Sequence, residues 1–281
     1  MRKSVISTIL YSVNSICHKK SMGFAKISEF LYTWLRETRG LPISLILILI
    51  FGFDMSVLTR KVVIGVPLIV GIVQIYSNLD QNLYRKEKLS NILPYENLYA
   101  VFSIIAGFLI FRDTSRISFV IAIVTFLVIL AFSFDLKKLT IPKSFKTILI
   151  IQFLLTVEVL LTGRFLQSVS DTQYYVLYEV VVLILLLFPI LTKSSFKDLK
   201  KTTKPFYGYL MGGALSSHLA RLLYLFTVGE FWVVMSTLLS FLGTGLTLLF
   251  GRIVLKEKPT KKNIIMCVIV AILVGLGYRL G

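Results

Sequence analysis

The sequence predicts an all-α polytopic membrane protein with ten transmembrane helices in two inverted five-helix repeats. Three observations carry that reading. Of 281 residues, 56% are apolar and 16% charged, against about 45–50% and about 25% in ordinary soluble domains, and the mean hydropathy is +0.82. The apolar residues fall in blocks of about 18–22, the length that crosses about 30 Å of hydrocarbon at 1.5 Å per residue. The second half of the chain also echoes the pattern of the first.

Ten apolar segments follow in order. The first, about 3–17, has the basic start of a signal peptide. Asn14 and Ser15 interrupt it and no small-x-small cleavage site precedes His18, so it reads as a short first helix. The second spans about 29–53, with Arg36 and Arg39 in its first half. The others lie near 62–84, 90–111, 117–134, 146–166, 173–192, 206–228, 231–251 and 263–280. No stretch between them is long enough to bury a core of its own, so function must lie among the helices.

The polar stretch 135–146 divides the chain into repeats of 1–138 and 139–281. EFLYTWLR (29–36) aligns with QYYVLYE (173–179) at an offset of 143, which sets Arg36 opposite Glu179. IIAGFLIFRDTSRISFVIAIVTFLVIL (104–130) aligns with LTLLFGRIVLKEKPTKKNIIMCVIVAILVGL at an offset of about 144, which pairs Asp113 with Glu257. Five crossings is an odd number, so the second repeat sits upside down relative to the first, as in many secondary transporters.

On the segments 89–132 and 236–278 the chain resembles the drug/metabolite transporter superfamily, specifically its ten-helix EamA-type members, over essentially its whole length. In that resemblance Pro94 takes the helix-proline position, and Glu257 and Asp113 the acidic turn positions. These residues are structural. The second half has no counterpart of Pro94, the first-half turn reads FRDTS, and the first helix lacks the family's Trp-Gly pair. The resemblance implies transport of small metabolites, with both termini in the cytoplasm.

Polar residues inside the apolar blocks are the candidate substrate-binding set, because charge at membrane depth costs at least about 2.5 kcal/mol. Glu158, in FLLTVEVLLTG, has no cation within one turn; at that depth it either meets a partner or carries a proton. His218 and Arg221 share a face of the eighth segment behind a run of small residues. Arg221 suits a carboxylate or phosphate, or an internal ion pair with Glu158 or Glu179. Arg36 and Glu179 hold matching places, facing a cavity or snorkelling from a helix end. Glu96 and Asn97 follow Pro94, which frees a helix carbonyl. Gln74 and Asn78 share a face, and Asp80 extends that polar half. Tyr84, Tyr174, Tyr175 and Tyr224 either line a cavity or form an interfacial belt.

The net charge of +17 sits mostly between the apolar blocks, facing anionic lipid rather than nucleic acid. Cys17 and Cys267 form no CxxC, two histidines make no HExxH, and no GxSxG or P-loop occurs. The expectation is a non-enzymatic, cofactor-free and metal-free carrier in the cell membrane, monomer or homodimer. It would export amino acids or related solutes by alternating access, with Glu158 as a proton site. Alternatives are a nucleotide-sugar or lipid-linked substrate in the same fold, or a non-transport membrane protein. Loops on the side of the termini hold eight Lys and Arg and the opposite loops twenty. The positive-inside rule therefore places the termini outside, against the family resemblance.

Overall fold

The computed structural model describes residues 2–24, 27–96, 98–112, 115–133, 143–191, 202–228 and 232–280. Asp113 and Asn97 lie outside these. Each of the ten apolar segments is helical, and no strand occurs among the described residues. The helices are α1 (Arg2–Phe24), α2 (Glu29–Glu37), α3 (Leu41–Phe51), α4 (Arg60–Lys86), α5 (Leu89–Glu96) and α6 (Leu98–Ala106), then α7 (Arg116–Ser133), α8 (Lys143–Leu166), α9 (Asp171–Leu191), α10 (Lys204–Val228), α11 (Trp232–Val254) and α12 (Lys261–Leu280). Among the described residues four helical stretches are long and apolar enough to cross a membrane: Arg60–Lys86, Leu89–Ile110, Arg116–Ser133 and Ser144–Leu166. Large aliphatic side chains stand outward, Leu49 at 84% and Ile50 at 66% exposure.

Two sequence boundaries change. The first helix continues to Phe24 rather than ending near residue 17, because Asn14 and Ser15 lie on its inward face and do not interrupt it. The second segment is broken: α2 ends at Glu37, a tight 3-10 turn covers Thr38–Gly40, and α3 starts at Leu41 with Pro42 in its first turn. Proline is tolerated there because first-turn N–H groups have no intrahelical partner.

The packing pairs helices from both halves. α1 packs on α10 and α11, while α8 packs on α4 and on α5 and α6. α4 meets α9, and α10 meets α2. α2 and α3 pack on α9, α5 and α6 on α11, and α7 on α12. Close crossings use glycine: a Cβ on Gly65 would overlap the Phe165 ring at the α4–α8 seam, and one on Gly213 would lie 3.0 Å from Cys17 Cβ at the α1–α10 seam. Arg112 (φ 57°) and Lys256 (φ 56°) are the non-glycine residues in left-handed backbone among those described, a conformation costing about 1–2 kcal/mol for an L-residue. They end α6's wide last turn and follow α11, respectively.

One end of the bundle gathers Lys19, Ile27 and Glu29 with residues 84–91 and 257–263. Lys19 Nζ donates to the carbonyls of Tyr84 and Glu87, and Arg85 reaches the Ile27 carbonyl and Glu29 Oε1 at 2.8 Å. Pro94 has no N–H for the carbonyl of Ser90, four residues back. Asn263 Nδ2 donates to that oxygen instead, at 2.9 Å, and Glu257 Oε2 accepts the Ser90 N–H at 2.9 Å. The proline and the acidic turn thus meet at one junction.

Candidate functional site

The polar side chains enclosed by the bundle surround a cavity of about 350 Å³. α1 supplies Ser7, Tyr11, Asn14, Ser15 and His18, a spacing that falls on one face of a helix and runs about 16 Å along it. α4 supplies Tyr76, Ser77, Asp80 and Tyr84, again on one face. Glu96 and Tyr99 enter from α5 and α6, Gln152, Glu158 and Thr162 from α8, and Tyr174 and Tyr178 from α9. α10 brings Arg221 and Tyr224, α11 Thr244 and Thr247, and α2 Arg36.

The charged groups divide into two kinds. Arg36 is bound by its neighbour: its Nε and Nη2 both donate to Glu37 Oε1, at 2.9 and 2.6 Å. Arg221 Nη1 lies 3.4 Å from Glu37 Oε2 and 3.7 Å from Glu179 Oε1. Its guanidinium also stacks over the Tyr178 ring at 4.3 Å from the centroid. His218 Nδ1 lies 3.0 Å from Glu179 Oε1 and 3.2 Å from Tyr175 Oη, and its Nε2 is 3.2 Å from the Arg36 carbonyl. That carbonyl sits where α2 gives way to the 3-10 turn. Gly40 makes the arrangement fit, because a Cβ there would overlap Glu179 Oε2 and lie 2.6 Å from His218 Cε1. Glu37, Glu179 and His218 could in principle hold a metal ion, but Arg221 occupies the space beside both carboxylates, and a cation there would face a guanidinium. The cluster is an ion-pair network.

The second kind lacks partners of opposite charge. Glu158 accepts a hydrogen bond from Thr162 Oγ1 at 3.2 Å, and Glu96 one from Tyr84 Oη at 3.2 Å. No cation lies within 4 Å of Asp80, Glu96 or Glu158 among the described residues.

Of the sequence-derived candidates, Arg36, Glu96, Glu158 and Arg221 line the cavity. Glu179 and His218 stand behind it, holding Arg221 and the α2 break. Gln74 and Asn78 do not line it; Gln74 Nε2 donates to Asn78 Oδ1 at 3.1 Å on another face of α4. Arg221 pairs with Glu179, one of the two partners weighed, and not with Glu158. Its shorter contact, Glu37, was missed because a carboxyl beside Arg36 reads as a helix-end charge. Tyr84, Tyr174 and Tyr224 line the cavity, while Tyr175 stands behind it against His218. The α1 face was missed too, although the 7, 11, 14, 15, 18 spacing is visible in the sequence.

No family model and no curated protein matches the chain. A solved structure described as "Crystal structure of protein" superposes on 99% of this chain and 96% of its own, with a TM-score of 0.70 and 14% identity. That likeness is one of fold. Fold and site together define a helical bundle with apolar spans around a polar cavity.

Proposed function

We propose that this chain is a multi-pass membrane carrier of the drug/metabolite transporter type, moving small metabolites, amino acids or related solutes, outward by alternating access. The observation that carries the reading is the polar cavity among the helices, with charged groups contributed by both halves of the chain. In a membrane such groups are costly and mark a substrate path. The outward aliphatic surface suits lipid.

The packing supports two repeats. Exchanging the two sets of five segments turns α1–α10 into α8–α4, and α4–α9 into α10–α2. It leaves α7–α12 and the α5/α6–α11 pair unchanged. Arg112 and Lys256, with the same rare backbone conformation, stand 144 positions apart, the offset of the sequence repeat. Glu37 of the first half holds Arg221 of the second, a contact that rocking of one half against the other would make and break. The turn at Thr38–Gly40 supplies a hinge beside it. Glu158, which accepts a hydrogen bond from Thr162 and has no cation within 4 Å among the described residues, is the proton site of this reading, and no enzymatic step belongs to it. Loop charge places the termini outside, and a C-terminal reporter active only in the cytoplasm tests that orientation.

The experiment is a flux screen in proteoliposomes with amino acids, sugars and nucleotide sugars. Saturable flux of amino acids or their relatives is expected. Flux no faster than through protein-free liposomes for every solute overturns the reading.

A further inference from the structure

The cavity wall is rich in carboxyl groups although the protein is strongly basic. The chain carries +17 overall, yet three carboxyl groups, Asp80, Glu96 and Glu158, line the cavity beside two guanidiniums, Arg36 and Arg221. Arg36 already holds Glu37 through Nε and Nη2, and Arg221 Nη1 lies against Glu37 and Glu179, so carboxylates outside the cavity offset much of the guanidinium charge. Among the described residues none of the three wall carboxyls has a cation within 4 Å.

The orphaned polar atoms point the same way. Gln152 Oε1 and His18 Nε2 are buried without a hydrogen-bond partner among the described residues, and both residues line the cavity. Gln152 Oε1 is a carbonyl oxygen, which only accepts. Gln152 is 5% and His18 3% exposed, so a donor reaches them from the cavity rather than from the protein surface. His18 stacks on Tyr84 at 4.9 Å between centroids. Asp80 precedes Tyr84 by one turn, and Tyr84 reaches Glu96. Ile16, Tyr84, Ile92 and Ile151 pack in one cluster, which brings these parts of α1, α4, α5 and α8 to the same end of the cavity. Tyrosine faces around it favour a cation, and Tyr178 already carries one.

The geometry points to a binding site for a protonated primary amine at this end, with Asp80 and Glu96 as counter-charges and Gln152 and Tyr84 taking N–H donors. It rests on the carrier reading of the same cavity and gives that reading a substrate class: amine-bearing cations with N–H donors, a carboxylate being unnecessary because Glu37 and Glu179 already offset the Arg221 charge. A quaternary ammonium has no N–H to offer the orphaned acceptors and is the weaker ligand.

The test uses the full chain in detergent and a matched set of solutes: n-pentylamine, norleucine, hexanoate and trimethylpentylammonium. Binding is read by calorimetry, with counterflow in proteoliposomes run beside it. Pentylamine is expected to bind, norleucine no more than tenfold tighter, trimethylpentylammonium at least tenfold weaker, and hexanoate not at all. Asp80→Asn and Glu96→Gln should each weaken pentylamine at least tenfold, with Tyr84→Phe as a milder third variant should one of them fail to fold. Hexanoate binding without pentylamine binding overturns the site. So do folded variants that bind the amine like the parent, trimethylpentylammonium binding as tightly as pentylamine, or norleucine binding far tighter than it. Binding of none of the four does the same. Amine binding without counterflow of any solute keeps the site and removes the carrier reading; counterflow of hexanoate without amine binding keeps the carrier and removes the site.

Discussion

Replacing Gly40 with alanine places a methyl group where three atoms already sit. The new Cβ would overlap Glu179 Oε2 and lie 2.5 Å from Glu179 Cδ and 2.6 Å from His218 Cε1. Neither neighbour yields easily. Glu179 is 1% exposed, and His218 is fixed between Tyr175, Glu179 and the Arg36 carbonyl. Overpacking of this kind costs about 1–3 kcal/mol, and displacing a hydrogen bond to a charged group about 1.5–3 kcal/mol more. A loss of about 4 kcal/mol is the central expectation. The assay is thermal unfolding of the full chain in detergent, with Gly71→Ala as the control. Gly71 has nothing within 4 Å of a built Cβ, and alanine within a helix gains about 0.5–1 kcal/mol over glycine. Gly40→Ala should melt several degrees below the parent and Gly71→Ala no lower than it. In a double-mutant cycle, Glu179→Ala should absorb much of the Gly40→Ala cost. Equal melting of Gly40→Ala and the parent would refute the placement of the α2 break against Glu179 and His218.

Three further outcomes follow from the same geometry. Arg221→Met removes the cation that Glu37 and Glu179 share while Arg36 still holds Glu37 and His218 still holds Glu179, and should cost about 1.5–3 kcal/mol in the same melt; a neutral result would mean the network is not closed. Asn263→Ala strands the Ser90 carbonyl at about 1–3 kcal/mol. That cost should shrink in a Pro94→Ala background, where residue 94 regains an N–H for the same oxygen. Glu158→Gln should keep the fold and abolish pH-driven flux in proteoliposomes, so unchanged pH-driven flux would remove Glu158 as the proton site.

Helix positions were legible because apolar blocks of membrane length announce themselves. Eight of the sequence-derived boundaries shift by only a few residues at each end. The first helix was read short because a polar pair was taken as an ending, when it is part of a stripe facing a cavity. The α2–α3 break was read through although Gly40 and Pro42 mark it; what the sequence does not show is that the distant Glu179 and His218 use the freed backbone. Arg221 and Glu158 were found because charge at membrane depth is conspicuous. Glu37 and Asp80 were harder, since a carboxyl beside an arginine or near a helix end has an ordinary reading. Their roles depend on α9, α10 and α5 arriving beside them, which is tertiary information. The Pro94–Asn263 exchange is of the same kind, because the sequence shows which carbonyl is freed but not which donor, 173 residues away, will take it.

Counterflow in proteoliposomes holding the full chain tests the central claim most directly. With unlabelled amine-bearing solute trapped inside, labelled solute added outside should accumulate transiently above its equilibrium level, as a carrier with one alternately exposed site requires, and Asp80→Asn should abolish the overshoot. Labelled solute that merely equilibrates without overshoot, at the rate seen in protein-free liposomes, would contradict it.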